Sequence, residues 1–464
     1  MGSVQRRRLF DIINLMGKET SDFRYNTGDT KVPWAAVGEN YNATDTFEFV
    51  KFLMQPPSPR LRRSGGGAAY AAALKNVRKA IDTLAKVSVA PGKLSMGDKV
   101  SEVERAVDRY LGVEEGSSLF VTNCTAALEL GYRYAGIGPG DEVIVPTNTF
   151  IATVAYPLSV GAKLVFADVD PRTVNMDPKD VARKVTKRTK IIVPVHIGGY
   201  PCDMDAIMKI ARKHDIVVME DAAHGFGGEY KGRKLGTIGH FGCFSMHEVK
   251  NCTSLGEGGI FVSNVPAYRG EARRARFLGV DFTSKIHNWL YDISLIRGKG
   301  NVRYQAANNA SVTEIQAIGL LQQLKRYGKI LAERRREATY MTKRLSGIPG
   351  VKPQLLGDRN HKPTFHLYQL QVDPKVVKGD VQTLKAKLEQ KGVTNIPHFG
   401  PIYRFAATIG KGFDEKKIAK TCPNTEYVFD KCYTHLPIYG LTKDQLKYMA
   451  GAIIEAVAEM KAGR

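Results

Sequence analysis

Hydrophobic positions acquire a clear period only from about residue 70, where Leu74, Val77, Ile81 and Leu84 recur at helical spacing. A second helix is predicted over Val100 to Tyr110, with Val103 and Val107 on one face and Leu111 just beyond. Short apolar runs then alternate with amphipathic stretches. The runs cover 118–122, 142–145, 163–166, 190–194 and 216–219, and the helical stretches between them include 126–135 and 204–214. Continuous apolar strands separated by helices predict a largely parallel sheet buried on both faces. Two more strands are expected at 241–245 and 259–263. Residues 313–324 read as a helix with Ile315, Ile318, Leu321 and Leu324 inward, continued by a basic helix to about Leu345. From about Gly347 strands and helices alternate in α+β fashion. The fold class expected is therefore α/β, a large domain with a mostly parallel sheet followed by a smaller C-terminal α+β domain.

Domain boundaries follow the same shifts. Residues 1–66 form an N-terminal extension of mixed polarity, with two short helical fragments at most, Trp34, Pro56-Pro57, and a flexible joint at Gly65-Gly66-Gly67. Residues 67–330 are expected to form the large domain and 331–464 the small one.

Composition changes this picture little. Of 464 residues, 43% are hydrophobic and 25% charged, which excludes disordered, collagen-like and membrane-bundle chains. The least polar stretch, 143–166, is interrupted by prolines, an asparagine, a lysine and threonines and does not read as a membrane span. Charge matters more: 68 Lys and Arg against 46 Asp and Glu leave +22. Basic residues cluster at Arg6–Arg8, Arg60–Arg63, Arg269–Arg276 and Arg334–Arg336. Such a field attracts anions in general. No nucleic-acid-binding motif accompanies it, so nucleic acid is not an expected partner, and a solvated basic surface is the plainer reading. The six cysteines form no C-x-x-C pair, and no metal site is expected. With no apolar signal core behind Arg6–Arg8, a cytoplasmic chain with reduced thiols is expected.

Four signals carry chemistry, in this order. Thr122-Asn-Cys-Thr125-Ala126 lies between a strand and a helix, where N–H groups suit a phosphate; a threonine helix cap has the same letters. Phe150 follows a strand end, placed to stack on a planar cofactor, although a phenylalanine there also serves as core. Glu220, Asp221 and His224 stand at the carboxyl end of a buried strand, the edge where α/β sheets bind ligands. Ser245 and Lys250 precede Gly256-Glu-Gly-Gly259, a turn that can hold a lysine fixed for Schiff-base chemistry. A lysine, an upstream strand-end acid, an aromatic and a phosphate turn together fit a pyridoxal 5'-phosphate site.

From about residue 80 onward the chain resembles the DegT/DnrJ/EryC1/StrS family of sugar and cyclitol aminotransferases, which are fold-type-I pyridoxal-phosphate enzymes. The resemblance is carried by Gly97-Asp-Lys-Val100-Ser-Glu-Val-Glu104, Gly136 to Pro146, Pro194-Val-His196, Glu220-Asp-Ala-Ala223, Ser245 to Asn251 with Gly256 to Gly259, and Thr313-Glu-Ile-Gln316. It implies that Lys250 carries the cofactor, that Asp221 partners the pyridinium nitrogen, and that Phe150 stacks on the ring. It also implies Thr125, Ser245 and the Ala126 N–H as phosphate ligands, and Asn309 as a residue reaching the phosphate of the other subunit of a homodimer.

Four positions depart from the family pattern: Cys124 stands for a usual glycine, Ser311 for an arginine, Gly198 for a tyrosine and His224 for a glutamine. A His at 224 is similar to the cyclitol and aminohydroxybenzoate branch, which would make it a cofactor neighbour; a packed strand-end histidine is the other reading. The implied activity is transfer of an amino group from glutamate or glutamine to a keto-sugar, nucleotide-linked or phosphorylated, or to a keto-cyclitol. Two alternatives stay open: a dehydratase of the same family, whose members carry His in place of the lysine, and a non-enzymatic cofactor-binding regulator. The resemblance also places the basic stretch Arg269–Arg303 beside the partner's active site, where it would favour an anionic substrate.

Overall fold

The computed structural model describes residues 42–59, 65–87, 94–287, 290–293, 308–395, 399–408 and 412–463. Trp34, Arg6–Arg8, Arg60–Arg63 and the later basic residues Arg297, Lys299 and Arg303 lie outside the described residues. The chain divides into two units, Met1–Leu94 with Thr283–Tyr291, and Ser95–Phe282 with Asp292–Arg464.

In the first unit, α1 (Ala43–Leu53) and α2 (Gly67–Ala85) form an antiparallel hairpin. Asn42 caps α1, its Oδ1 accepting the Thr44 and Asp45 N–H groups at 2.7 and 3.2 Å while Asp45 accepts the Asn42 N–H at 2.9 Å. Arg78 donates to Thr44 Oγ1 at 3.1 Å and Tyr70 to the Met54 carbonyl at 2.7 Å, which pairs opposite ends of the two helices. Of the expected glycine joint, Gly65 has φ 90° and Gly66 is already helical, leading directly into α2 at Gly67.

The second unit begins with α3 (Asp98–Leu111), which buries Val100, Val103, Val107 and Leu111 and stops at Gly112 with φ 70°. A seven-stranded sheet follows, made of β1 (Ser118–Val121), β2 (Glu142–Pro146), β3 (Lys163–Ala167), β4 (Thr189–Ile192), β5 (Val217–Asp221), β6 (Phe241–Ser245) and β7 (Gly259–Ser263). Its order is β1-β7-β6-β5-β4-β2-β3. Pairs from β6 through β3 are parallel, and β7 runs antiparallel to both neighbours. Every residue of β1, β2, β5, β6 and β7 is buried, which is why these strands read as unbroken apolar runs. Helices α4 (Cys124–Ala135), α5 (Ala152–Ser159), α6 (Pro178–Lys184), α7 (Met204–His214) and α8 (Pro266–Ala275) connect and cover them.

One long helix, α9 (Glu314–Leu345), serves two cores: Ala317, Leu320 and Leu321 pack toward the sheet, and Ala338, Met341 and Leu345 toward the C-terminal core. The expected inward face is corrected at its start, where Ile315 and Ile318 are 39% and 46% exposed. Glu314 sets the phase. Its carboxylate turns inward to accept the Gly97 and Lys99 N–H groups at 2.7 and 2.8 Å, capping α3 and rotating Ile315 and Ile318 outward. The remaining chain forms the antiparallel sheet β8 (Val351–Pro353), β9 (Tyr368–Val372) and β10 (Tyr433–Leu436), in that order. Helix α10 (Val381–Gln390), the short helices α11 (Ile402–Thr408), α12 (Glu415–Thr421) and α13 (Pro423–Tyr427), and α14 (Lys443–Ala462) complete it. Leu370, Leu384, Leu388 and Ile453 lie in its core. Among the described residues no helix is long and apolar enough to cross a membrane.

Candidate active site

The carboxyl ends of β2, β5 and β6 carry three of the expected residues: Phe150 just after β2, Asp221 as the last residue of β5 and Ser245 as the last of β6. Glu220 and Asp221 are adjacent in β5, so their side chains leave the sheet on opposite faces. Glu220 is wholly buried and saturated. It accepts the Gly236, Ile238 and Gly239 N–H groups at 2.8, 2.6 and 2.7 Å, and its Oε2 lies 3.0 Å from His196 Nε2. Because His196 Nδ1 accepts the Cys202 N–H at 3.1 Å, its Nε2 carries the proton given to Glu220. Glu220 and His196 thus hold loops in place.

Asp221 faces the other side of the sheet and is held differently. Its Oδ2 accepts the Thr153 hydroxyl at 2.7 Å and its Oδ1 the Ala223 N–H at 3.2 Å. Thr153 Oγ1 is also 2.6 Å from Thr149 Oγ1, so a buried hydroxyl chain orients the carboxylate. Burial pushes the Asp221 carboxyl above its ordinary 3.8, opposed by Thr153, the Ala223 N–H and the charge of Lys250. Lys250 is partly buried, and burial lowers its ammonium below the ordinary 10.5, with Cys124 and Asp221 acting the other way.

The turn before β7 fixes Lys250. Its N–H donates to the His247 carbonyl at 2.9 Å, Glu248 donates to Gly256 at 2.9 Å, and Ser254 Oγ donates to Met246 and Glu257 carbonyls at 3.1 and 2.5 Å. Gly256 has φ 98°, open to glycine alone among ordinary residues. Gly259 follows, paired with Val121 on one side and Ser245 on the other. A Cβ on Gly259 would lie 2.3 Å from the Asn123 carbonyl carbon, so bare backbone is what lets the lysine turn close on the start of α4.

At that start Asn123 is the cap, its Oδ1 accepting the Ala126 N–H at 2.9 Å. The Ala126 N–H thus has an internal partner, while the Thr125 side chain is exposed. Thr125, Ala126 and Asn309 line one cavity of 190 Å³ together with Arg133. Exposed Asn309 accepts the Ser311 N–H on its Oδ1 at 3.0 Å. A larger groove of 540 Å³ runs from Thr125 between α4 and α5; neither Lys250 nor Asp221 is among its walls. Ser245 is buried, and its Oγ accepts the His247 N–H at 3.4 Å.

Phe150 is 54% exposed, and its ring centre is 5.5 Å from Phe399. Phe399 stands 6.3 Å from the His224 ring, and His224 stacks on His366 at 4.1 Å. An aromatic row thus joins Phe150 to residues of the C-terminal part of the chain. His224 Nδ1 accepts the Gly198 N–H at 3.3 Å, which leaves the proton of the neutral ring on Nε2. Gly198, the departure from tyrosine, has φ 62°, and a Cβ there would meet Gln369 Nε2 at 2.9 Å. The other departures are also accommodated: Cys124 is buried, and Ser311 Oγ lies 3.3 Å from Met96 Sδ.

Sequence reasoning missed Thr149, Thr153, Asn251, Thr364, His366 and Phe399. Two threonines four apart, opening the helix behind Phe150, were a usable signal for the first pair. For the last three no local pattern exists. In the basic cluster Arg269 pairs with Glu114, Arg273 and Arg276 with Glu104 at 3.4 and 2.5 Å, and Arg274 with Asp281 at 2.8 Å.

Comparison with known proteins identifies the family. The model of the DegT/DnrJ/EryC1/StrS aminotransferase family matches residues 76–454. A UDP-4-amino-4-deoxy-L-arabinose–oxoglutarate aminotransferase of Shewanella sediminis is 33% identical over 377 residues, 79% of this chain and 92% of that one. A 3-amino-5-hydroxybenzoate synthase of Amycolatopsis mediterranei is 33% identical over 369 residues, 78% and 90% of the two chains. The pyridoxal-phosphate form of the putative sugar aminotransferase Spr1654 from Streptococcus pneumoniae superposes with a TM-score of 0.68 at 27% identity, covering 83% of this chain and 96% of that one. Strand-end acid, glycine-held lysine and sheet order thus coincide with a match over most of the length, and the chain belongs to the DegT/DnrJ/EryC1/StrS family of aminotransferases, for which pyridoxal phosphate is the implied cofactor.

Proposed function

We propose that this aminotransferase carries an amino group from glutamate or glutamine to a keto-sugar, nucleotide-linked or phosphorylated, or to a keto-cyclitol. The observation that carries the reading is a buried carboxylate at the end of β5, oriented by Thr153 and the Ala223 N–H, together with a lysine held in the glycine-closed turn after β6. The residues fit pyridoxal 5'-phosphate: a buried carboxylate suits a protonated ring nitrogen, and the exposed Thr125 hydroxyl at a helix start suits a phosphate. Asp221, Thr125, Ser245, Phe150, His224 and Lys250 would hold it, and Ala126 would do so only by sharing the N–H it gives to Asn123. When bound, that group supplies an electron-withdrawing ring that stabilises carbanion charge at the amino-bearing carbon.

The chain's own part is positioning and proton transfer. Asp221 holds a proton on the ring nitrogen. Lys250, with its amine partly desolvated, takes a proton from the donor carbon and later returns one to the acceptor carbon. The reading includes a homodimer in which Asn309 completes the neighbour's phosphate site.

The test is spectroscopic. Purified holoenzyme should change its cofactor absorption band on addition of glutamate or glutamine and recover it on addition of a keto-sugar or keto-cyclitol. No change with either donor would refute the reading.

A further inference from the structure

Thr364, Phe365 and His366 enter the site from the C-terminal part of the chain, and their backbone is strained. Phe365 has φ 52°, a left-handed conformation that L-residues rarely adopt. Its ring is buried in the C-terminal core, and its carbonyl lies 3.4 Å from Arg334 Nη1. Flanking contacts bind the segment to the loops after β4 and β5. Thr364 donates its N–H to the Gly199 carbonyl at 3.1 Å and its hydroxyl to the His224 carbonyl at 2.6 Å; His366 donates its N–H to the Gly198 carbonyl at 2.9 Å. A bulky residue kept in that conformation signals a constraint imposed by the site.

What the strain delivers is the His366 imidazole. It stacks on His224, and its Nδ1 is 2.9 Å from Asn251 Oδ1. The orientation of the Asn251 amide is determined, because its Nδ2 faces the Thr364 carbonyl at 3.2 Å and a carbonyl can only accept. Oδ1 therefore faces His366, and His366 Nδ1 carries the proton. Asn251 directly follows Lys250 in the chain.

We propose that His366 is a positioning residue of the transfer site: through Asn251 it fixes the backbone that presents Lys250, and by stacking it fixes the plane of the His224 ring. The proposal rests on the functional reading of Lys250 above and adds to it a residue 115 positions from Asn251.

Three variants separate the contacts. His366→Phe keeps a ring and loses the donor, His366→Asn keeps a donor and loses the ring, and Asn251→Ala removes the acceptor. The primary readout needs no turnover: in cofactor-free protein, the pH dependence of Lys250 acetylation is followed by peptide mass spectrometry, with thermal unfolding as the check on folding. Looser packing admits water, so in His366→Phe and Asn251→Ala the Lys250 midpoint should rise toward that of an ordinary lysine. Each half-unit rise slows labelling at about pH 8 by about threefold. The double variant should match the single ones, and His366→Asn should stay near wild type. An unchanged Lys250 midpoint in folded His366→Phe, additive effects in the double variant, or no rescue by Asn would overturn the proposal. Should His366→Phe fail to fold, Asn251→Ala alone decides: an unchanged midpoint there overturns it equally. A protein that transfers no amino group refutes the functional reading instead, and leaves this titration intact as a test.

Discussion

Replacing Asp221 by Asn removes one charge and almost no volume, and the structure says what each half of the amide will meet. Its oxygen keeps the Ala223 N–H, while its nitrogen turns to Thr153 Oγ1, which can accept once its own proton is given to Thr149 Oγ1. The hydroxyl chain reverses, which turns the proton of buried Thr149 away from Thr153 and adds a second amide N–H to be satisfied, so the loss from hydrogen bonding should be about 1–3 kcal/mol. The pH dependence should change in a defined direction. Burial holds the Asp221 carboxyl above 3.8, so folded protein binds more protons than unfolded protein in that window. Wild-type stability is therefore lost as pH rises from the ordinary value through the raised one, and the Asn variant lacks that loss. Thermal midpoints of cofactor-free protein, taken from about pH 4 to about pH 7, should move in favour of the variant as pH rises. Activity should move the other way. A charge-assisted hydrogen bond is worth about 1.5–3 kcal/mol, so turnover should fall roughly tenfold to a hundredfold. Near-normal turnover, or a variant whose midpoints track wild type across the whole range, would refute the argument.

Borohydride reduction of the holoenzyme followed by peptide mapping should label Lys250 and no other lysine; a label elsewhere sinks the assignment. Thr153→Val removes a bond that lowers the Asp221 carboxyl, so the acidic limb of the activity profile should move to higher pH; an unmoved limb contradicts the role given to Thr153. Gly259→Ala puts a methyl against the Asn123 backbone and should cost about 1–3 kcal/mol in denaturant unfolding and weaken cofactor binding in a titration. Sedimentation should find a dimer at least, and Asn309→Ala should weaken cofactor binding without dissociating it; a fully active monomer would contradict the shared site.

Legibility in the sequence follows the range of the forces involved. The strands were readable because each is buried on both faces and so carries its signal locally, as in Glu142–Pro146 and Phe241–Ser245. Lys250, Asp221 and Phe150 stand out as candidates because each is placed where an apolar run gives way to turn residues. The phase of α9 was not, because it is set by Glu314 reaching Gly97 and Lys99, more than two hundred residues earlier. His366 escaped for the same reason: its partners Asn251 and His224 lie far back in the chain, and nothing in Thr364-Phe-His366 marks the strained backbone that brings them together.

The two neighbouring acids of β5 divide labour in a way that bears on how variants of this enzyme should be sorted. Glu220 receives three backbone N–H groups and His196 on one face of the sheet, and Asp221 receives Thr153 on the other. A change at either position will lower activity in a screen of colonies or lysates, and the two losses will look alike there. They have opposite causes. Without Glu220, three amides and an imidazole lose their acceptor and the protein should fail to accumulate; without Asp221, the protein should accumulate normally and turn over slowly. Any survey of substitutions in this strand must therefore measure soluble protein alongside product, or a folding residue will be counted among the catalytic ones.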